Sequence, residues 1–270
     1  MKAKSIWFKS IYLLTFASLC LMLAGFGWAV KELFIPPTGS QPSPQGISSS
    51  AEQGEKLLLG LGDSLTRGVG DQSGQGYFGI IQKKWQNHFN QSQAINLSVR
   101  GQTSQNLRDQ LKKAQIREFV KEADALVMTI GGNDLFQGSE DLEKTDPNAL
   151  MQREERFRKN LTAILTDIRQ LNPDGSVYLL SLYNPFADLK ENEQTSKIVA
   201  DWNYTMMITA QSFQEVTVVP VYDLFLKHPG SYLYSDHFHP NQQGYIQMAE
   251  RLWQVMNPSA PEVKETNAKS

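Results

Sequence analysis

The sequence predicts an α/β fold in which a parallel sheet of five strands carries helices on both faces. Three observations predict it. Short apolar runs recur at Leu57–Leu61, Ala94–Leu97, Ala125–Ile130, Val177–Leu182 and Val216–Val221, the first closed by Gly62-Asp63-Ser64 in the manner of a buried strand. Helical patterns alternate with these runs, and strand–helix alternation implies right-handed crossovers that cover both faces of a parallel sheet. Finally, the chain has 270 residues with unusual ends, and the remainder, about 200 residues, suits one domain with a full core.

The elements follow in order. Lys2, Lys4 and Lys9 precede an uncharged run, Ile11–Val30, of 20 residues. A helix of that length crosses the roughly 30 Å hydrocarbon core of a bilayer. Basic residues before it favour a cytoplasmic N-terminus and place the rest outside. Residues 1–35 are therefore expected to be an uncleaved signal anchor. The competing expectation is a cleaved signal peptide, for which Gly27-Trp28-Ala29 is a poor site. A lipoprotein built on Cys20 is disfavoured by Leu19 and by the apolar residues that continue after it. Residues 36–55, rich in Pro, Ser, Gly and Gln, form a linker; residues 56–257 form the domain; residues 258–270 form a polar tail. Inside the domain, Phe157, Leu161, Ile164, Leu165, Ile168 and Leu171 mark one amphipathic helix, and Tyr245, Met248, Ala249, Leu252, Trp253 and Met256 another.

Composition removes some functions. Net charge is −2 with both signs interspersed, so no basic footprint points to nucleic acid. The one cysteine, Cys20, lies in the apolar N-terminal run, which leaves no disulfide within the chain and no cysteine-based metal site.

Four stretches carry candidate chemistry: Ser64; Gly101; Gly131-Gly132-Asn133-Asp134; and Asp236-His237-Phe238-His239. Ligands of open parallel sheets bind beyond the carboxyl ends of the strands, and in a sheet of order 2-1-3-4-5 the first three strands are neighbours. Ser64, Gly101 and Asn133 would then cluster. Acyl transfer needs donors aimed at the oxygen that becomes negative, and the backbone N–H groups of Ser64 and Gly101 with the Asn133 amide would supply three. With two residues between them, Asp236 can turn back onto His239 and orient it as the base for Ser64. Blander readings stand beside these. Ser64 caps a helix, Gly101 makes a turn, and Gly131-Gly132-Asn133 is an ordinary strand exit. A metal site on Asp236, His237 and His239 lacks further ligands, since His88 and His228 sit apart.

Taken together, Gly62-Asp63-Ser64-Leu65, Gly101, Gly131-Gly132-Asn133-Asp134 and Asp236-x-x-His239 resemble, in order, the four blocks of the SGNH hydrolases, the GDSL lipase/esterase family. The resemblance spans about residues 56–257. It implies a three-layer α/β/α, flavodoxin-like fold and a serine hydrolase that uses no metal or cofactor. Its implied roles are Ser64 as nucleophile, Asp236 and His239 as the acid–base pair, and Ser64, Gly101 and Asn133 as the oxyanion hole. The anchored layout resembles the envelope lipase/acylhydrolase branch of Gram-positive bacteria. The implied substrate is an acyl ester, lipid or acylated glycan, hydrolysed outside the membrane by a monomer. A carbohydrate O-acetyl esterase and a non-catalytic envelope-binding domain are the rival readings. Residues 135–148 read as a lid or an acidic loop. Leu65, Leu135, Phe136, Tyr183 and Phe186 are candidate acyl-pocket residues, and Arg67 and Asn203 either touch substrate or brace loops.

Overall fold

The computed structural model describes residue 22 and residues 55–136, 142, 145–186, 192–227 and 229–257. The expected anchor apart from Met22, the linker apart from Glu55, His228 and the tail 258–270 lie outside the described residues. The chain divides into two units, Met1–Ser48 and Ser49–Ser270, and the architecture below is that of the second. No helix among the described residues is long and apolar enough to cross a membrane.

The strands are β1 (Lys56–Gly62), β2 (Ser92–Asn96), β3 (Ala125–Thr129), β4 (Ser176–Leu180) and β5 (Val216–Val219). All pair in parallel, in the order β2-β1-β3-β4-β5. The interior strand β1 explains its own apolar run. Side chains alternate across a strand, so Leu57, Leu59 and Leu61 enter the core on one face while Leu58 enters the core on the other. Both faces are covered, which is why the run is continuous rather than alternating.

The helices are α1 (Ser64–Arg67), α2 (Gly76–His88), α3 (Ser104–Leu111), α4 (Ala114–Glu122), α5 (Gly132–Phe136), α6 (Pro147–Leu171), α7 (Asn192–Gln211), α8 (Tyr222–Lys227), α9 (Pro229–Tyr232) and α10 (Gln242–Met256). On one face α3, α4, α6 and α7 pack Leu107, Phe119, Phe157, Leu161 and Trp202 against the sheet. On the other, α2 and α10 contribute Tyr77, Ile81, Tyr245, Met248 and Leu252. Both helices with clear periodicity form as expected. The first starts well before Phe157, because Asp146 caps it by accepting from Asn148 N and Pro147 fits its first turn. The second starts at Gln242, with Asn241 accepting from Gly244 N.

The strand ends differ from the apolar runs for backbone reasons. β2 begins at Ser92 because Ser92 and Gln93 pair with Lys56 and Leu57, whatever their side chains. β4 stops at Leu180 although the apolar run continues to Leu182, because both backbone groups of Leu182 are taken by the Asn203 side chain at 2.8 Å. Asn203 thus braces a strand exit. Leu135 and Phe136 end α5, and Pro147 and Asn148 open α6; between them only Leu142, Thr145 and Asp146 are described.

Candidate active site

The turn from β1 into α1 sets the position of Ser64. Gly62 has φ +104, and a Cβ there would lie 2.0 Å from Thr129 O, so only glycine lets β1 and β3 approach this closely. Asp63 then caps α1, accepting from Leu65 N at 3.0 Å and from Thr129 Oγ1 at 2.6 Å. Beneath it, Thr66 Oγ1 is hydrogen-bonded to Thr129 Oγ1 at 2.8 Å and to the Tyr77 hydroxyl at 2.6 Å. Asp63 is 2 % exposed. Burial pushes its carboxyl up to about 7 against the opposing hydrogen bonds from Thr129 and Leu65, and nearby Asp134 pushes the same way.

Ser64 stands at the first position of α1, where a backbone N–H has no intrahelical acceptor. Its Oγ lies 2.9 Å from His239 Nε2, and His239 Nδ1 lies 2.7 Å from Asp236 Oδ2. Asp236 Oδ1 also accepts from the backbone N–H of His239 at 2.9 Å and of Phe238 at 3.0 Å. Burial opposes ionisation of Asp236, but the bonds from His239 and Phe238 outweigh it and hold the carboxyl below its ordinary range. An ionised carboxylate only accepts, so Nδ1 carries the proton and Nε2 is left to accept from the Ser64 hydroxyl.

The loop that presents this pair is held from both sides. His237 adopts φ +52, the left-handed turn that folds Asp236 back onto His239. Tyr234 N donates to His239 O at 2.7 Å, and Tyr183 Oη donates to Phe238 O at 2.6 Å. Burial keeps the Tyr183 phenol neutral, with Asp63 and Asp236 adding to the shift. His237 itself is exposed, and His88 sits edge-on to Trp253 at the far end of α2.

Asn133 opens α5 and donates from Nδ2 to Gln102 O at 3.0 Å, which leaves its second amide hydrogen for another acceptor. That bond ties it to the Gly101 loop. Gly101 is exposed with φ +73, and nothing lies within 4 Å of where its Cβ would be. Asp134 reinforces the tie. Its carboxylate accepts from Ser104 N at 2.8 Å and from Ser104 Oγ at 2.5 Å, and Asn160 Nδ2 reaches Ser104 Oγ at 2.9 Å.

A cleft opens beside the serine, bounded by Leu65, Asn133, Phe136, Leu182, Tyr183 and Phe238. It leaves about 20 Å³ of free space, room for about one ordered water. The structure therefore joins Ser64, His239 and Asp236 by hydrogen bonds, sets Ser64 and Asn133 on one cleft, and links Gly101 to Asn133 through Gln102. Of the pocket candidates, Leu65, Phe136 and Tyr183 line the cleft. Leu135 is instead fully buried in the core, and Phe186 stands behind the wall, edge-on to Phe136. Sequence reasoning missed Phe238, which packs edge-on against Phe136 at 5.3 Å, although its place beside His239 was a signal. It also missed the bracing by Asp63, Thr129, Tyr183 and Ser104, which depends on contacts far apart in the chain.

Comparison with known proteins shows the family. Residues 61–246 match the model of the GDSL-like lipase/acylhydrolase family. The protein YpmR of Bacillus subtilis is 31 % identical over 229 residues, covering 81 % of this chain and 89 % of its own. The spore germination lipase LipC of Bacillus licheniformis is 30 % identical over 199 residues, covering 71 % of this chain and 92 % of its own. Among solved structures, the lipase Lip_vut3 from a goat rumen metagenome superposes with a TM-score of 0.65 at 28 % identity, over 74 % of this chain and 97 % of that one. With its five-stranded parallel sheet between helices and the family match over residues 61–246, the chain belongs to the GDSL-like lipase/acylhydrolase family.

Proposed function

We propose that the protein hydrolyses carboxylic esters through an acyl-enzyme formed on Ser64. The observation that carries the reading is the hydrogen-bonded chain Ser64–His239–Asp236. His239 Nε2 takes the hydroxyl proton as Ser64 Oγ attacks the ester carbonyl. The resulting oxyanion is met by the Ser64 and Gly101 N–H groups and the free Asn133 amide hydrogen. Collapse expels the alcohol, which takes the proton from His239. Water then attacks the acyl-enzyme, with His239 as base, and releases the acid. Asp236 fixes the tautomer and stabilises the imidazolium. The apolar walls Leu65, Phe136, Leu182 and Phe238 suit an acyl chain, and similarity to a protein named a lipase supports a lipid ester.

The narrow cleft favours a second reading, a carbohydrate O-acetyl esterase, since free space of about 20 Å³ accommodates a short acyl group better than a long chain as the walls stand. The uncharged run Ile11–Val30 behind Lys2, Lys4 and Lys9 supports a single-pass anchor with the domain outside the membrane. Hydrolysis of p-nitrophenyl esters, acetate through palmitate, by the full chain and by Ser64→Ala tests the mechanism and ranks the acyl groups. Equal turnover by both forms would sink the serine mechanism.

A further inference from the structure

The helix α2 buries Tyr77, Phe78, Ile81 and Trp85 and turns a polar face outward. That face carries Gln82, Lys83 and Gln86, with Gln82 and Lys83 two helical turns beyond Gln75, as the 3.6-residue period requires. It borders a groove whose free space is about 470 Å³, completed by Arg67 of α1 and Asn96 at the end of the edge strand β2. This is far roomier than the cleft beside Ser64 and falls in the range of small-molecule sites. The helix α1 serves both spaces, giving Ser64 and Leu65 to the cleft and Arg67 to the groove. Arg67 is one helical turn, about 5 Å of rise, from the serine.

The groove's chemistry is one-sided. Two cations and four carboxamides border it, and none of its lining residues is acidic. Elsewhere on α2 the cation is matched, Lys84 by Glu250 at 3.0 Å. In the groove, Lys83 Nζ donates instead to Gln75 Oε1 at 2.8 Å, a neutral partner that leaves its charge uncompensated. A guanidinium fork suits a phosphate bidentately, and the Gln82 and Gln86 carboxamides can both donate to and accept from hydroxyls, whereas Asn96 is engaged with Thr66 O and Ser98, and Gln75 Oε1 with Lys83.

We infer that this groove is a subsite for a phosphate-bearing polyol on the alcohol side of the scissile ester. The inference rests on the ester-hydrolase reading and adds what the leaving group is. An acyl chain in the apolar cleft and an anionic headgroup at Arg67 and Lys83 would span α1, with the ester at Ser64 between them.

The test uses the full-length protein and two readouts. Calorimetric titration with glycerol 3-phosphate, and separately with inorganic phosphate, is run on wild type, Arg67→Gln, Arg67→Lys and Lys83→Gln. Turnover of 1-butyrylglycerol 3-phosphate is compared with that of neutral 1-butyrylglycerol. Glycerol 3-phosphate should bind more tightly than inorganic phosphate, and Arg67→Gln should weaken it about tenfold, with Arg67→Lys recovering part. The ratio of kcat/KM for the anionic over the neutral ester should fall by the same factor. Binding that is absent, or indifferent to Arg67 and Lys83, overturns the subsite while turnover of the neutral ester leaves the esterase reading intact. Inorganic phosphate binding as tightly as glycerol 3-phosphate overturns the polyol headgroup and leaves a bare anion site. Arg67-dependent binding of glycerol 3-phosphate without turnover of either ester supports the subsite and overturns the esterase reading instead.

Discussion

Replacing Asp63 tests how the turn that presents Ser64 is held, because the carboxyl behind the serine is nearly sealed from water. Burial raises it from 3.8 to about 7. The unfolded chain therefore releases this proton near pH 4, while the folded chain keeps it until near 7. Across that window the folded state binds more protons, so stability falls as pH rises. At ~1.4 kcal/mol per unit, with the slope falling off as the folded group titrates near 7, the interval from pH 5 to 7 corresponds to roughly 2 kcal/mol lost. Asp63→Asn removes the titration but keeps an oxygen that can accept from Leu65 N and Thr129 Oγ1. Urea unfolding of wild type and Asp63→Asn should give similar stability near pH 5 and an advantage of about 2–3 kcal/mol to the variant at pH 8. Asp63→Ala removes the cap and orphans the Thr129 hydroxyl and the Leu65 N–H, and should cost about 2–4 kcal/mol at either pH. Coincident pH slopes for wild type and Asp63→Asn would refute the reasoning, since the slope difference is the titration of this one group.

Four further outcomes follow from the same geometry. Asn133→Ala should lower kcat about a hundredfold to a thousandfold with little change in KM; a loss below threefold on butyrate esters means that Asn133 is no oxyanion donor. Phe136→Ala opens the cleft wall and should move the preferred p-nitrophenyl ester to a longer chain, and an unmoved optimum would show that Phe136 does not limit the acyl group. Gly62→Ala sets a methyl against Thr129 O at a left-handed φ and should cost more than ~3 kcal/mol. Gly101→Ala, with the same backbone restriction but open space around it, should cost only about 1–2 kcal/mol in the same unfolding assay.

Much of this arrangement is legible because its signals are local. Buried strands write themselves as apolar runs, and the parallel order brings the exits of β1, β2 and β3 together, where Ser64, Gly101 and Asn133 stand. Asp236 and His239 are three residues apart, so one left-handed residue, His237, is enough to join them. Helices α2, α3, α4 and α7 were harder to see. In α3 the buried face includes Gln110, whose carboxamide is satisfied by Gln102 and Leu97 O, and α4 is short, with Ile116, Phe119 and Val120 buried in nine residues.

The amino-acid sequence by itself determined the α/β layering, the three loops at the exits of β1, β2 and β3, and the Asp236–His239 turn before the last helix, because periodicity and turn chemistry are read within a few residues. Tertiary structure decided the rest. Thr129, 66 residues from Asp63, is what holds its carboxylate. Tyr183, 55 residues from Phe238, steadies the histidine loop. The cleft and the Arg67 groove exist only once α1, α2 and the sheet edge are packed together. Such features come from side chains meeting across long stretches of chain, and no local pattern encodes where those meetings occur.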